Sequence, residues 1–381
     1  MTLWEHLYLK HMMPTRIPLA IVAVVALVIG CQTTMEPISP KPDTAEAEAA
    51  VVAAFGAVER NENGEIVAVD LAHGRASATD EVLDKALTIP GLKRFRLAGD
   101  VTGETFSKLS TQTELEELFL RDLPVSDDEL ASVLAALPKL KRLTLRRLPS
   151  VTDKICDSLS DRLMQLALVD MDVTSSGFSV LARKQSLRAV DLRNCGRLTV
   201  SDYSELKRLP KLSDLKIGGF AVNDAVLEAI AALDGLTALA IDDSLISPDA
   251  WKTFSSVFRS RDKLETLVLN RCPALLDDAM ESLEKFPKLK RLTLGGMMIT
   301  GTFLEVLAQD ESKRPKLQRL DLRKSLLTVD GANALKKYPE LHYLDLSGTA
   351  LTPKLAEVLR TLDFLETDDE TMGYLKHLDA E

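Results

Sequence analysis

One apolar spacing, L-x-x-L-x-L with Ile, Val or Phe sometimes replacing a leucine, recurs twelve times between Ile66 and Leu346. Its copies begin at Ile66, Leu92, Leu115, Leu140, Leu163, Leu187, Leu212, Leu236, Leu264, Leu289, Leu317 and Leu341. Eleven steps cover 275 residues, a period of 25. A fixed period of this size is the mark of a solenoid, because each unit is too small to bury its apolar face except against its neighbours. The length of 381 residues alone suggests about two or three globular domains. The repeat predicts one elongated array instead.

Local rules build each unit. In Leu140-Lys-Arg-Leu143-Thr-Leu145 the last two leucines alternate with polar residues and share one face of a short strand. A few residues later an apolar residue precedes a small polar one, in the pairs Val125-Ser126, Val173-Thr174, Val222-Asn223, Ile246-Ser247, Ile299-Thr300, Leu327-Thr328 and Leu351-Thr352. The side-chain oxygens of Ser, Thr and Asn accept the unpaired N–H groups of a helix start, and Glu129 completes a capping box with Ser126. Leu130, Val133, Leu134 and Leu137 then form one helical stripe. Pro90, Pro138, Pro210, Pro287, Pro315 and Pro339 stop helices two residues before the next strand motif.

On these residues the chain resembles the leucine-rich repeat family. Cys195 and Cys272, each three residues past the last motif leucine, match its cysteine-containing subtype, as does Val151-Thr152-Asp153. Leu123, Leu148, Met171, Phe220 and Met297 replace that cysteine elsewhere. The resemblance covers roughly residues 58–365 and implies an α/β solenoid, with a parallel sheet on the concave side and helices on the convex side.

Ahead of the array, Arg16 precedes an apolar run of thirteen residues, Ile17–Ile29, followed by Gly30-Cys31. A bilayer span needs about 20 residues, so this run reads as a secretory signal. Val28-Ile29-Gly30-Cys31 resembles the lipobox of bacterial lipoproteins, which implies acylation of Cys31 and, with Gln32 following, the outer membrane more than the inner. Met13 makes a more typical start than Met1. The expected organisation is a signal over 1–30, an extended tether over 31–44, a cap helix within 45–62, about twelve repeats over 63–365, and a closing cap over 366–381.

The chain carries a net charge of −10, which disfavours nonspecific binding to nucleic acid. After the expected signal the histidines are His73, His342 and His377, the first two near opposite ends of the array, and H-E-x-x-H, G-x-S-x-G and phosphate-loop patterns are absent from the sequence, so no catalytic group, cofactor or metal is expected. Asp242-Asp243 and Asp277-Asp278 read as solvated turn acids. Cys195 and Cys272 fall at equivalent positions three strands apart, about 14 Å at the usual strand spacing, too far for a disulfide. Three buried free thiols are expected, Cys156 being the third.

The concave positions point to a binding surface. In the second to fourth repeats they hold Arg94, Arg96, Phe119, Arg121, Arg142, Arg146 and Arg147, with Arg193 further along. Stacked arginines repel unless Glu117, Asp122, solvent or a ligand screens them. Their geometry suits carboxylates, and Phe119 offers an aromatic anchor. A second cluster is Arg291, Arg319, Arg323 and Lys324. Gly218-Gly219 and Gly295-Gly296 leave room for a partner's backbone or serve as permissive turns, and Ser255–Arg261 and Gln309–Arg314 are expected as protruding loops. The expected role is a non-enzymatic, lipid-anchored scaffold of the bacterial cell envelope that recognises a protein, with an acidic segment as the favoured target. The alternatives are an organising envelope component without a specific ligand and an adaptor subunit of an enzyme complex.

Overall fold

The computed structural model describes residues 42–362 and 366–377. Cys31 and the expected signal and most of the tether lie outside the described residues.

The strands form one sheet of fourteen, arranged in chain order. After β1 (Ala57–Arg60), the twelve sequence motifs supply β2 (Ile66–Leu71), β3 (Arg94–Ala98), β4 (Glu117–Arg121), β5 (Arg142–Arg146), β6 (Gln165–Val169), β7 (Ala189–Arg193), β8 (Asp214–Gly218), β9 (Ala238–Asp242), β10 (Thr266–Asn270), β11 (Arg291–Thr293), β12 (Arg319–Asp321) and β13 (Tyr343–Asp345). Strand β14 (Glu366–Thr367) ends the sheet. Pairing is parallel except between β1 and β2. The register aligns Phe95, Leu118, Leu143 and Leu166 in one row, and that row continues to Leu320 and Leu344. All are essentially shielded from solvent. Burying each such side chain contributes about 1.5–3 kcal/mol. The alternate strand residues face the other way and form the opposite wall.

Helix starts follow the expected chemistry. Ser126 and Glu129 form a reciprocal capping box. Thr174, Asn223, Ser247, Thr328 and Thr352 each accept a first-turn N–H. Thr300 does not cap its helix. Gly301, at φ 87°, takes that place, and Thr300 is engaged by the coil before it.

That engagement is part of a repeated link between coils. An aspartate at the start of one helix accepts from both the N–H and the hydroxyl of the small polar residue at the start of the next. Asp127 so holds Thr152 at 2.9 and 2.7 Å, Asp224 holds Ser247 at 2.8 and 2.7 Å, and Asp277 holds Thr300 at 2.8 and 2.9 Å. Asp80 does the same for Thr102, and Asp153 for Thr174. Polar groups that one coil cannot satisfy are satisfied by its neighbour, and the link fixes register on the helix side as the sheet does on the strand side.

Two local expectations differ from the structure. The cap helix, expected within 45–62, spans Pro42–Ala53, and β1 then folds back on β2 as a hairpin. Gly56 permits this crossing, since a Cβ there would lie 2.8 Å from the Asp70 carbonyl oxygen. Asn61 closes the hairpin by accepting the N–H groups of Asn63 and Glu65. Secondly, Ser255–Arg261 is not a protruding loop. The extra residues extend the helix Pro248–Val257. Ser255, Phe258 and Ser260 are buried, with Phe258 stacked on Phe254 at 4.6 Å. Aromatic area outweighs local polarity here. Gln309–Glu311 does form an exposed turn.

Cys156, Cys195 and Cys272 are free and buried, and burial pushes their thiols up to about 12. Asp153→Ala removes both acceptors of Thr174 and is expected to lower the unfolding free energy by about 1–2 kcal/mol. Urea titration followed by circular dichroism measures it; an unshifted midpoint would deprive the Asp link of any structural weight.

Candidate functional site

The wall opposite the leucine row is built from every second strand residue. Arg94, Glu117, Arg142 and Gln165 stand in one register row. Asp70, Arg96, Phe119, Thr144 and Ala167 stand in a second, and Ala98, Arg121, Arg146 and Val169 in a third. Arg96, Arg121 and Arg146 therefore share one face. Arg147 lies just beyond β5, at φ 48°, in a position that every coil after β3 fills with a left-handed residue.

The arginines are not an unscreened stripe. Arg94 pairs with Glu59 on β1. Arg96 reaches Asp70 at 3.0 Å and lies over the Phe119 ring at 4.2 Å. Arg142 meets Glu117 at 2.9 Å, and Arg146 meets Asp170 at 3.2 Å. Arg121 approaches Asp122 at 3.3 Å. Arg147 grips the same Asp122 with two parallel bonds of 2.7 and 2.8 Å, which hold that carboxyl below its ordinary range. Glu117 and Asp122 screen as the sequence predicts; Glu59, Asp70 and Asp170 are further partners that the count of arginines overlooks. Asp122, Arg147, Asp170 and Asn194 also line an open groove of ≈ 1040 Å³ along the C-terminal ends of these strands, together with Pro124 and Pro149.

Midway along the array the wall closes. Asp191, Asp214, Lys216 and Asp242 are buried there beside a small apolar group, Ala167, Val169 and Ala189. Arg193 holds Asp191 at 2.7 Å and crosses β8 to reach Asp242 at 3.1 Å. It can do so because Gly218 stands between them in the register. Burial opposes the Arg193 charge, but Asp191 and Asp242 more than offset it and raise its pKa. Burial pushes the Lys216 ammonium down to about 8, against the pull of Asp191, Asp242 and Asp214. Arg193 is thus a structural tie across three strands.

The same arrangement decides between the two readings of the glycines in favour of turns, with Gly219 at φ 94° and Gly296 at φ 67°. A Cβ on Gly218 would lie 2.5 Å from the Asp242 carbonyl oxygen, and one on Gly295 would meet both Asn270 and the Arg323 side chain. Neighbouring coils fill these places, so no partner backbone has room. Asp242 is not a solvated turn acid but a buried partner of Arg193, and Asp243 pairs with Arg271. Asp277 serves Thr300, and Asp278 meets Lys252. In the second cluster Arg319 stacks on Tyr343 at 4.0 Å and Arg323 is held by Asp321. Among the described residues no group of three or more His, Cys, Asp or Glu is arranged to hold a metal ion. The pattern Asp-Leu-Arg, at Asp191–Arg193 and again at Asp321–Arg323, is the sequence signal for both ties, since residues two apart on a strand share a face.

One residue reverses its expected role. Leu123, Leu148, Met171 and Met297 are buried at the cysteine-equivalent position, whereas Phe220 is 83% exposed. Val222 N–H bonds to the Gly219 carbonyl there, and this tight turn after the glycine swings Phe220 outward.

Gly218→Ala is expected to destabilise the array by about 1–3 kcal/mol through the clash with Asp242, measured by urea unfolding; an unchanged midpoint would mean that Arg193 does not need the gap. The folded Lys216 value of about 8 lies below its ordinary 10.5. Between those values the unfolded chain retains a proton that the folded chain has released, so this group makes stability rise with pH. Compared across that window, the wild type is expected to gain stability relative to Lys216→Met; parallel pH curves would contradict the assignment.

No family model matches the chain. It is 24% identical over 321 residues to NLR family CARD domain-containing protein 4 of Bos taurus, covering 77% of this chain and 27% of that protein. It is 33% identical over 116 residues to human F-box/LRR-repeat protein 12, covering 24% of this chain and 36% of that one. The chain thus spans about a quarter to a third of the length of the curated relatives it matches. Among solved structures, the yeast Rad7 and Elc1 complex contains a chain similar in fold, with a TM-score of 0.54, 17% identity, and coverage of 75% of this chain and 77% of that one. The stacked coils, the parallel sheet with its buried leucine rows, and this likeness agree: the chain folds as an α/β leucine-rich repeat solenoid.

Proposed function

We propose that the protein is a non-enzymatic recognition scaffold, anchored to the bacterial cell envelope by a lipid on Cys31, and that a protein partner docks on the concave wall over β3 to β5. The observation that carries this reading is the fourteen-stranded sheet, which offers an extended wall of charged side chains. Solenoids of this kind supply large surfaces at small conformational cost. The similar yeast chain was solved in complex with a second protein, in keeping with a protein partner. The lipid anchor rests on the sequence before residue 32 alone.

The internal ion pairs set the terms of docking. An acidic segment must exchange with Glu59, Asp70, Glu117, Asp122 or Asp170, and a surface pair of this kind is worth only about 0–1 kcal/mol. Exchange is therefore feasible at Arg94, Arg96, Arg121, Arg142, Arg146 and Arg147, with Phe119 beneath Arg96 as the apolar contact. Arg193 is excluded, because leaving Asp191 and Asp242 without it strands buried carboxylates. A second reading, an organising envelope component without a specific ligand, is favoured by how completely these charges already satisfy one another.

Two variants of the full chain test the proposal. Cys31→Ser is expected to lose incorporation of labelled fatty acid and to leave the membrane fraction; retained label would exclude lipidation at this residue. Arg96→Glu, Arg121→Glu and Arg146→Glu together are expected to abolish the partner crosslinks that mass spectrometry detects in intact cells. An unchanged crosslink pattern would remove the concave wall from the account.

A further inference from the structure

Exposed apolar area is concentrated on one rim of the solenoid, away from the concave charges. The described residues expose ten large apolar side chains. Five of them, Phe220, Leu245, Leu276, Met298 and Leu326, lie between the strand ends and the helix starts of five consecutive coils, those of β8 to β12. Their exposures run from 44% to 83%. The matching rim beside β4 to β6 presents Pro124, Pro149 and Asp172. Leu245, Met298 and Leu326 hold the position that Pro124, Pro149 and Asp172 hold in those coils, with Pro273 in the coil of β10, while Phe220 and Leu276 lie before and after it. An apolar stripe of this extent is uncommon on a surface that faces only water.

We propose that this stripe is the docking site for an amphipathic α-helix of a protein partner, with its apolar face on the stripe and a basic flank toward the outer helices. The spacing favours a helix. Successive coils add about 4.8 Å at the sheet, and one helical turn advances about 5.4 Å. A helix lying along the rim thus places one apolar residue over each coil, at i, i+4, i+7 and i+11. An extended segment repeats on one face only every ~6.6 Å and falls out of step within a few coils.

Charge sets the flank. Outside the stripe, at the first turns of the helices, stand the exposed carboxylates of Asp249, Asp278 and Asp330, and Asp278 already attracts Lys252 at 3.1 Å. On the inner side Asp243 and Arg271 neutralise each other. Lys324 is the exposed cation there. A partner helix with lysines or arginines on its outer flank meets this pattern, as does the chain's net charge of −10. The inference is independent of the lipid anchor and of any occupant of the concave wall.

The experiment uses the full chain and three fluorescent peptides of roughly five helical turns. One carries leucines on one face and lysines on the other, one replaces the lysines with glutamates, and one scrambles the first. Anisotropy titrations are made with the wild type and with the exposed-site variant Leu245→Asp, Met298→Asp, Leu326→Asp, whose folding is checked by circular dichroism. The Leu/Lys peptide is expected to bind saturably, and the variant to weaken it by about tenfold or more. Lys324→Glu, a second variant, is expected to leave that binding intact. Equal binding of the Leu/Glu or scrambled peptide, indifference to the triple variant, or no binding of any peptide would overturn the proposal. So would concentration-dependent self-association of the wild type that the triple variant abolishes, which would assign the stripe to a second copy of the chain.

Discussion

No coil of this protein can close its own polar or apolar groups, and that dependence on the next coil governs everything else. Each short strand has half of its backbone bonds to the strand before and half to the strand after. Each buried leucine contacts its counterparts one period away. The Asp127–Thr152, Asp224–Ser247 and Asp277–Thr300 links repeat the dependence on the helix side. Stability in such an array is a sum of units and interfaces, so the ends need covers. The helix Pro42–Ala53 with the β1 hairpin covers one end, and the helix Asp369–His377 lies at the other.

Fixed register also decides what the charges can do. A line of arginines on one wall is unfavourable in isolation, yet several of them find an acid on a neighbouring coil and others within their own. Arg142 finds Glu117, Arg146 finds Asp170, and Arg193 passes over a glycine to a strand two places away. The outcome is a wall that is charged but internally neutralised, exchangeable at its exposed end and locked at its centre. The two surfaces proposed for docking are the paired but exchangeable arginines over β3 to β5 and the apolar rim from β8 to β12.

The sequence made the repeat, the strands and most helix caps legible, because apolar period and cap chemistry are local. It misled where a neighbour intervened. Gly218 reads as an open patch or a permissive turn residue, and it holds the path of the Arg193 guanidinium. Phe220 sits at a position that is buried in other coils, and only the turn after Gly219 turns it outward. Ser255 and Ser260 read as loop residues, yet they are buried beside the Phe254–Phe258 stack. Asp70 drew no notice because its partner Arg96 comes from strand pairing, whereas the partner of Asp191 was there to be read in Asp-Leu-Arg. Thr300 leaves the cap position to Gly301.

The reach of Arg193 across β8 depends on the register of three coils at once, so it tests the account more directly than any single substitution. A double-mutant cycle with Arg193→Met and Asp242→Asn, measured by urea unfolding, is expected to give a coupling energy of about 2 kcal/mol or more. Additive effects, with coupling within about 0.3 kcal/mol, would mean that these side chains do not meet and that the coils are not stacked as described.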